Sequence, residues 1–314
     1  MWFGNSRLWE TRKDDIVNKS KRYFGFFLPS LLLILILFVG PMLMAAAYSM
    51  TNMSLTGAAA RNLRFVGFAN FTKLFRDPQF FDAMMRTVWF VILGGILGQE
   101  VIGFFMAYLL RTHGPTFRKV VGFTTMIAWC VPMVVAAYVF ISFFEDRGTL
   151  NILVQLFGAT PISWLYEFPM ACVIIATIWK GTAYATLMFQ ASLDNIPTEI
   201  NESARLDGAN EWQILRHIVV PMLRSTIGTV SMIVTLGCIG SFGLPYAMLK
   251  GGPSNLTTTL SIYMYKKAFI AYQIGYGTAI AIIMLVIGAI FSLVYVKILN
   301  EKKSKKAKKG VAVK

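Results

Sequence analysis

The sequence predicts an all-α polytopic membrane protein with six transmembrane helices. Three observations carry that expectation. Of 314 residues, 56% are apolar and 14% charged, whereas a soluble chain has roughly 25% charged and 45–50% apolar residues. Mean hydropathy is correspondingly high, at +0.60. Several apolar stretches reach the roughly 20 residues that a helix needs to cross hydrocarbon, and the Lys and Arg residues alternate by loop. This composition excludes a disordered chain and leaves no length for a sizeable soluble domain beside the spans.

The elements follow in order. Residues 1–22 are a polar N-terminal segment ahead of an apolar run long enough to span, which predicts a retained first helix rather than a cleaved leader. Spans are expected near Phe24–Tyr48, Met84–Leu110, Val120–Phe144, Phe168–Ala191, Ile218–Phe242 and Thr278–Leu299. Their lengths suit helices, which satisfy their own backbone hydrogen bonds in lipid, rather than the ten-residue strands of a barrel. Pro29, Pro41, Pro132, Gly94-Gly95 and Gly237/Gly240 lie inside these runs; a packed bundle tolerates them, and small residues allow close helix approach. Residues 300–314 form a basic tail.

Net charge is +15, yet no basic stripe interleaved with aromatics occurs in a polar domain, so the charge reads as topology rather than nucleic-acid binding. Twenty Lys and Arg lie in the N-terminal segment, the 111–119 turn, the 191–224 segment and the C-terminal tail with Lys297; nine lie in the loops of the opposite side. Cytoplasmic loops collect basic residues, so both termini should be cytoplasmic, as an even number of spans requires. Cys130, Cys172 and Cys238 sit far apart in apolar runs and read as small buried side chains, with no metal site. Nothing fits a glycine-rich phosphate loop ending in Gly-Lys-Ser/Thr, so any ATP would be bound by another chain.

The polar segment between spans four and five is the most informative. Pro197, Thr198 and Glu199 open a helix, with Thr198 as candidate N-cap; Glu199 and Glu202 favour its positive end, and Gly208 ends it. Trp212, Leu215 and Ile218 then return the chain to the membrane at helical spacing. Two readings of these residues are open: a surface helix whose small Ala204 and Gly208 let another protein's groove close over it, or an amphipathic interfacial helix that only caps the bundle.

Glu202-Ser203-Ala204, then Asp207-Gly208-Ala209, then Ile218-Val219-Val220-Pro221, resembles the EAA loop of ATP-binding-cassette importer permeases, and the Asp-Gly-Ala form resembles that of carbohydrate permeases. Two positions depart from the pattern: Ser203 for alanine and Val220 for leucine. The resemblance extends to Tyr23-Phe24-Gly25-Phe26-Phe27-Leu28-Pro29 and to Phe65-Val66-Gly67-Phe68-Ala69-Asn70-Phe71. It also extends to Lys250-Gly251-Gly252-Pro253 with Thr257-Thr258-Thr259-Leu260, and to Tyr263 through Phe269. It thus covers most of residues 23–299, in the manner of a maltose-type or glycerol-phosphate-type permease subunit.

The resemblance implies a six-helix permease domain over 23–299 with a cytoplasmic coupling helix in the loop 192–221. The implied partners are a second related permease, two ATPase subunits that bind ATP and Mg, and an extracytoplasmic solute-binding protein. The chain itself would bind no cofactor and perform no catalysis, and it would work in a bacterial or archaeal cytoplasmic membrane. Glu202, Ala204, Asp207, Gly208 and Ala209 would form the ATPase-coupling handle. Trp179, Gly181 and Tyr184 match sugar-site positions of the maltose-type permease, while Thr177 replaces the asparagine expected there; Lys180, Ser241 and Phe242 join them as candidate path residues.

Two charged groups lie within spans, Glu100 and Lys180, and such groups face a bundle interior or a wet cavity. They could pair with each other, Lys180 could meet a carbonyl of the partner, or Lys180 could face the cavity and favour an acidic sugar. Outside the importer class, the rival is an ATP-independent secondary transporter, for which Glu100 is the sole acidic candidate within a span. A membrane-embedded enzyme fits poorly, because His113 and His217 lie in cytoplasmic segments. Within the class, glycerol phosphate or another small solute is the alternative to a sugar or oligosaccharide.

Overall fold

A computed structural model describes residues 27–311, with side-chain surroundings through residue 299; the expected segment 1–22 lies outside the described residues. Five helices are long and apolar enough to cross a membrane: Phe27–Ser49, Pro78–Thr112, Pro169–Asp194, Arg224–Leu249 and Ile274–Leu299. A bent pair, Pro115–Cys130 and Met133–Leu156, supplies the sixth. Among the described residues the nearest thing to a sheet is one isolated bridge, between Thr51 and Phe65. The chain is all-α, as its composition predicts.

Three spans differ from their expected outlines, each for a local reason. The second begins at Pro78 rather than Met84, because Asp77 caps it by accepting from the Gln79 N–H at 3.0 Å and Pro78 occupies the first turn. The helix therefore carries the polar Gln79 and Asp82 ahead of the apolar run.

The third span is not continuous: the chain bends by 103° between its two arms. Pro132 has no N–H to give the preceding turn and forces Val131 to an extended conformation (φ −57°, ψ 127°), a break rather than the tolerated kink expected there. The fifth span begins at Arg224 rather than Ile218. Ahead of Pro221 the chain widens into a π-type turn over Leu215–Val219, then breaks at Leu223. It breaks again at Gly240, before Gly243–Leu249.

Alternation of the spans places the turn at 113–114 and the segment 195–223 at one end of the bundle, and the loops 50–77, 157–168 and 250–273 at the other. The main core joins spans two to five through Phe90, Ala136, Val173 and Val234, and it extends without interruption into the loop through Ile196, Ala204 and Ile214. A second core at the far end gathers Leu74, Phe80, Leu260, Tyr263, Tyr276 and Ile280. Span one stays outside both, with none of its most apolar window buried.

Glu100 and Lys180 do not pair. Glu100 is buried and accepts the Ser231 hydroxyl of span five at 2.7 and 2.9 Å, whereas Lys180 reaches the break in span three of its own chain.

Candidate functional site

The loop end is built first from backbone. Thr198–Leu206 forms the expected surface helix, with Pro197 rather than Thr198 at the N-cap position and no side-chain cap. Glu199 in its first turn and Arg205 in its last complement the helix dipole.

The helix closes in a full Schellman turn: Gly208 N–H donates to Arg205 O at 3.0 Å, and Ala209 N–H to Ala204 O at 2.9 Å. Gly208 adopts φ 84°, which L side chains rarely take, and a Cβ there would meet nothing within 4 Å in this chain. Its glycine thus serves the turn. Asn210 immediately starts the next helical turn with a capping box, in which Asn210 and Gln213 exchange two bonds of 2.8 Å.

This helix–turn–helix is seated on its own bundle. Ala204 is 9% exposed and belongs to the main core, so its small side chain lets the helix lie close on spans of this chain. Glu202, Asp207 and Gly208 face outward, Ala209 is half-buried, and Leu206 and Trp212 project at 90% and 62% exposure. Arg111 at the end of span two donates to Ile196 O at 3.0 Å, and Tyr108 donates to Glu211 at 3.4 Å. Arg205 pairs with Glu211 at 2.8 Å, and Arg118 pairs with Asp194. Sequence reading missed these anchors, since Arg111, Tyr108 and Arg118 come from spans two and three, far from the loop in sequence.

The second cluster lies within the spans. Trp179, 43% exposed, lines an open apolar cavity of about 600 Å³ with Ile102, Met106, Thr124, Thr125, Ala128 and Thr182. The three threonine hydroxyls all donate to their own helices, at 2.6 to 2.8 Å. Among the described residues the Trp179 N–H and the Tyr184 O–H donate to nothing. Gly181 is where span two presses on span four: a Cβ there would overlap the Gln99 side chain.

Trp129 packs against Tyr184 with ring centroids 6.3 Å apart, and Phe140 against the edge of Trp179 at 5.6 Å. Lys180 donates to the carbonyls of Ala128 (3.1 Å), Trp129 (2.5 Å) and Val131 (2.5 Å). These bonds engage all three of its donors, so Lys180 meets carbonyls of its own chain rather than Glu100 or a carbonyl of the partner.

Ser241 and Phe242 stand apart from this cluster, in the break of span five. The Ser241 carbonyl accepts from Ser261 at 2.5 Å, and Phe242 stacks on Tyr246 and Tyr265 at 4.7 Å each. Sequence reading singled out Trp179, Lys180 and Tyr184 but missed Trp129, Phe140 and Gln99. Pro132 was the available signal: a proline inside a span leaves carbonyls that some donor must meet.

The far end is held by Asp77, which accepts from the Tyr263 hydroxyl, from the Tyr276 hydroxyl at 2.8 Å and from the Gln79 N–H at 3.0 Å. Burial alone would raise its carboxyl, but those bonds and the Lys267 charge outweigh it and hold the group below its usual range. Burial and the same carboxylate push the Tyr263 hydroxyl up.

The chain matches the family described as "Binding-protein-dependent transport system inner membrane component" over residues 100–304. It is 28% identical to the sulfoquinovosyl glycerol transport system permease protein SmoG of Agrobacterium fabrum, over 87% of this chain and 89% of that one. It is 29% identical to the lactose transport system permease protein LacF of Rhizobium radiobacter, over 90% and 97%. In fold it is similar to a chain of a bacterial ABC transporter involved in the import of the acidic polysaccharide alginate. That match has a TM-score of 0.77 at 22% identity and covers 94% of this chain and 99% of that chain. The match to residues 100–304 takes in the loop, the broken span and the aromatic cluster together, and the chain belongs to the family of binding-protein-dependent transport system inner membrane components.

Proposed function

We propose that this chain forms half of the membrane path of a saccharide importer and transmits the work of a separate ATPase through the 198–211 helix–turn–helix. One observation carries the reading: a helix seated in the main core through Ala204, yet offering Glu202, Leu206 and Asp207 outward past a rigid Schellman turn. A rigid-body handle needs both properties, a firm seat and a free face. On this reading 192–221 and both termini are cytoplasmic, a second related permease completes the path, and a solute-binding protein delivers from outside. ATP and Mg stay on two ATPase partners.

The saccharide is supported by the path chemistry and by the two relatives, whose names carry lactose and sulfoquinovosyl glycerol. Trp179 and Tyr184 present ring faces to sugar C–H groups and hold unengaged N–H and O–H donors for hydroxyls.

Affinity purification of the tagged chain from its host in mild detergent tests the assembly. Stoichiometric recovery of a second permease and an ATPase is expected; the tagged chain alone, folded and able to transport without ATP, would establish a secondary transporter instead. Uptake by the recovered complex of lactose, a uronate oligosaccharide and glycerol 3-phosphate then assigns the solute. Preference for glycerol 3-phosphate would overturn the saccharide.

A further inference from the structure

We infer that Lys180 is a positioning residue of the path: its ammonium clamps the elbow of span three and thereby sets the spacing of the four rings around it. The inference rests on the path reading above, and it concerns what holds that path in shape.

Pro132 interrupts the hydrogen-bond ladder of span three. A helix leaves its last carbonyls without partners, and here the residue that would donate to Ala128 O has no N–H. Val131 is extended, so its own carbonyl also leaves the helical ladder. In hydrocarbon no water meets such groups, and broken helices persist only where other groups re-satisfy them. Lysine carries three donors on one atom. Lys180 spends them on Ala128 and Trp129, the last carbonyls of the first arm, and on Val131, the carbonyl of the hinge peptide that leads into Pro132. Its positive charge also sits at the negative end of the Pro115–Cys130 helix, where a cation is favoured.

The clamp has a geometric consequence. Lys180 lies between Trp179 and Tyr184 on span four, and each of those rings meets a different arm of the elbow. Tyr184 meets Trp129 of the first arm, and Trp179 meets Phe140 of the second. Phe140 stands about 12 Å along its arm from Pro132. An opening of the elbow by about 20° would therefore move it by about 4 Å further from Trp179, beyond ring contact. One ammonium fixes the angle that keeps all four rings together.

The test uses the complete importer in lipid nanodiscs. Spin labels at Phe123→Cys and Val139→Cys, exposed positions on the two arms, report the elbow by pulsed EPR in a Cys130→Ser background. Lys180→Met is expected to shift or broaden that distance by about 3 Å and to lower solute uptake at least tenfold. Lys180→Arg, which keeps charge and several donors, should restore both to within about threefold.

Should Lys180→Met fail to assemble, adding Pro132→Ala returns the missing N–H. The double variant should recover yield, show a straightened elbow and still transport at least tenfold more slowly. An unchanged label distance in Lys180→Met overturns the clamp, and full uptake by the double variant overturns its role in positioning. An opened elbow with undiminished uptake would instead locate the failure in the path reading. Trp179→Ala and Tyr184→Ala, which should each lower uptake without moving the labels, test that reading separately.

Discussion

Gly208 separates two physical roles that a glycine can play in a handle. If the turn needs its backbone, the relevant fact is φ 84°; if a partner needs the space, the relevant fact is the missing Cβ. Within this chain a Cβ meets nothing within 4 Å, so the intrachain cost of Gly208→Ala is conformational. A left-handed conformation costs an L residue about 1–2 kcal/mol, which corresponds to a roughly 5- to 30-fold loss of the correctly folded turn. Asn tolerates this conformation much better, and a β-branched residue tolerates it worst. The expected order of coupled uptake is therefore Gly208 above Asn, Asn above Ala, and Ala above Val, and ATPase co-purification should fall in the same order. Asn is larger than Ala, so steric access would reverse those two. An Ala variant that outperforms the Asn variant would refute the conformational account and place the ATPase surface directly against this residue.

Other consequences are more local. Ala204→Leu overpacks a site 9% exposed in the main core and should cost about 1–3 kcal/mol; limited proteolysis should cut faster within 198–221, and Ala204→Ser should leave the rate nearly unchanged. Asn210→Ala removes the capping box and should cost about 1 kcal/mol, again read as faster cleavage of the loop, without altering solute preference in uptake. The Asp77 carboxyl is held below its usual value, so its bonds contribute fully above the ordinary carboxylate pKa and are lost as pH falls through the depressed folded value. Thermal unfolding of the purified chain should therefore show an acid-limb loss below about pH 4 that Asp77→Asn removes, with lower stability at neutral pH. An identical acid limb in the variant would assign the sensitivity to another group.

These predictions share one frame. Span two touches each moving part: Arg111 and Tyr108 hold the loop, Gln99 fits against Gly181 beside the path, and Glu100 receives Ser231 of span five. On the proposed reading, a push on the loop would meet side-chain contacts along one helix rather than a flexible linker. Gly181→Ala probes that continuity: the added Cβ would overlap Gln99 and separate spans two and four. Ser192, bonded to Thr226 at 2.8 Å, would remain to join spans four and five near the loop.

The sequence disclosed whatever is written in local chemistry. Six spans follow from apolar runs, and the loop helix with its stop at Gly208 follows from Pro197, the acidic first turn and a glycine at the correct place. What it did not disclose depends on pairs far apart in the chain. The span boundaries erred where polarity and helicity part company: Asp77-Pro78 starts a helix in polar surroundings, and hydropathy starts the span only at Met84. Pro132 was visible as an interruption, but its depth was not, because a kink becomes an elbow only when a donor 48 residues later, Lys180, can meet the carbonyls it frees. The same blindness left three partners open for Lys180: Glu100, a carbonyl of the partner, or an acidic sugar. In a bilayer a lone lysine must answer first to the backbone, and the unpaired carbonyls of a broken helix are closer than any solute.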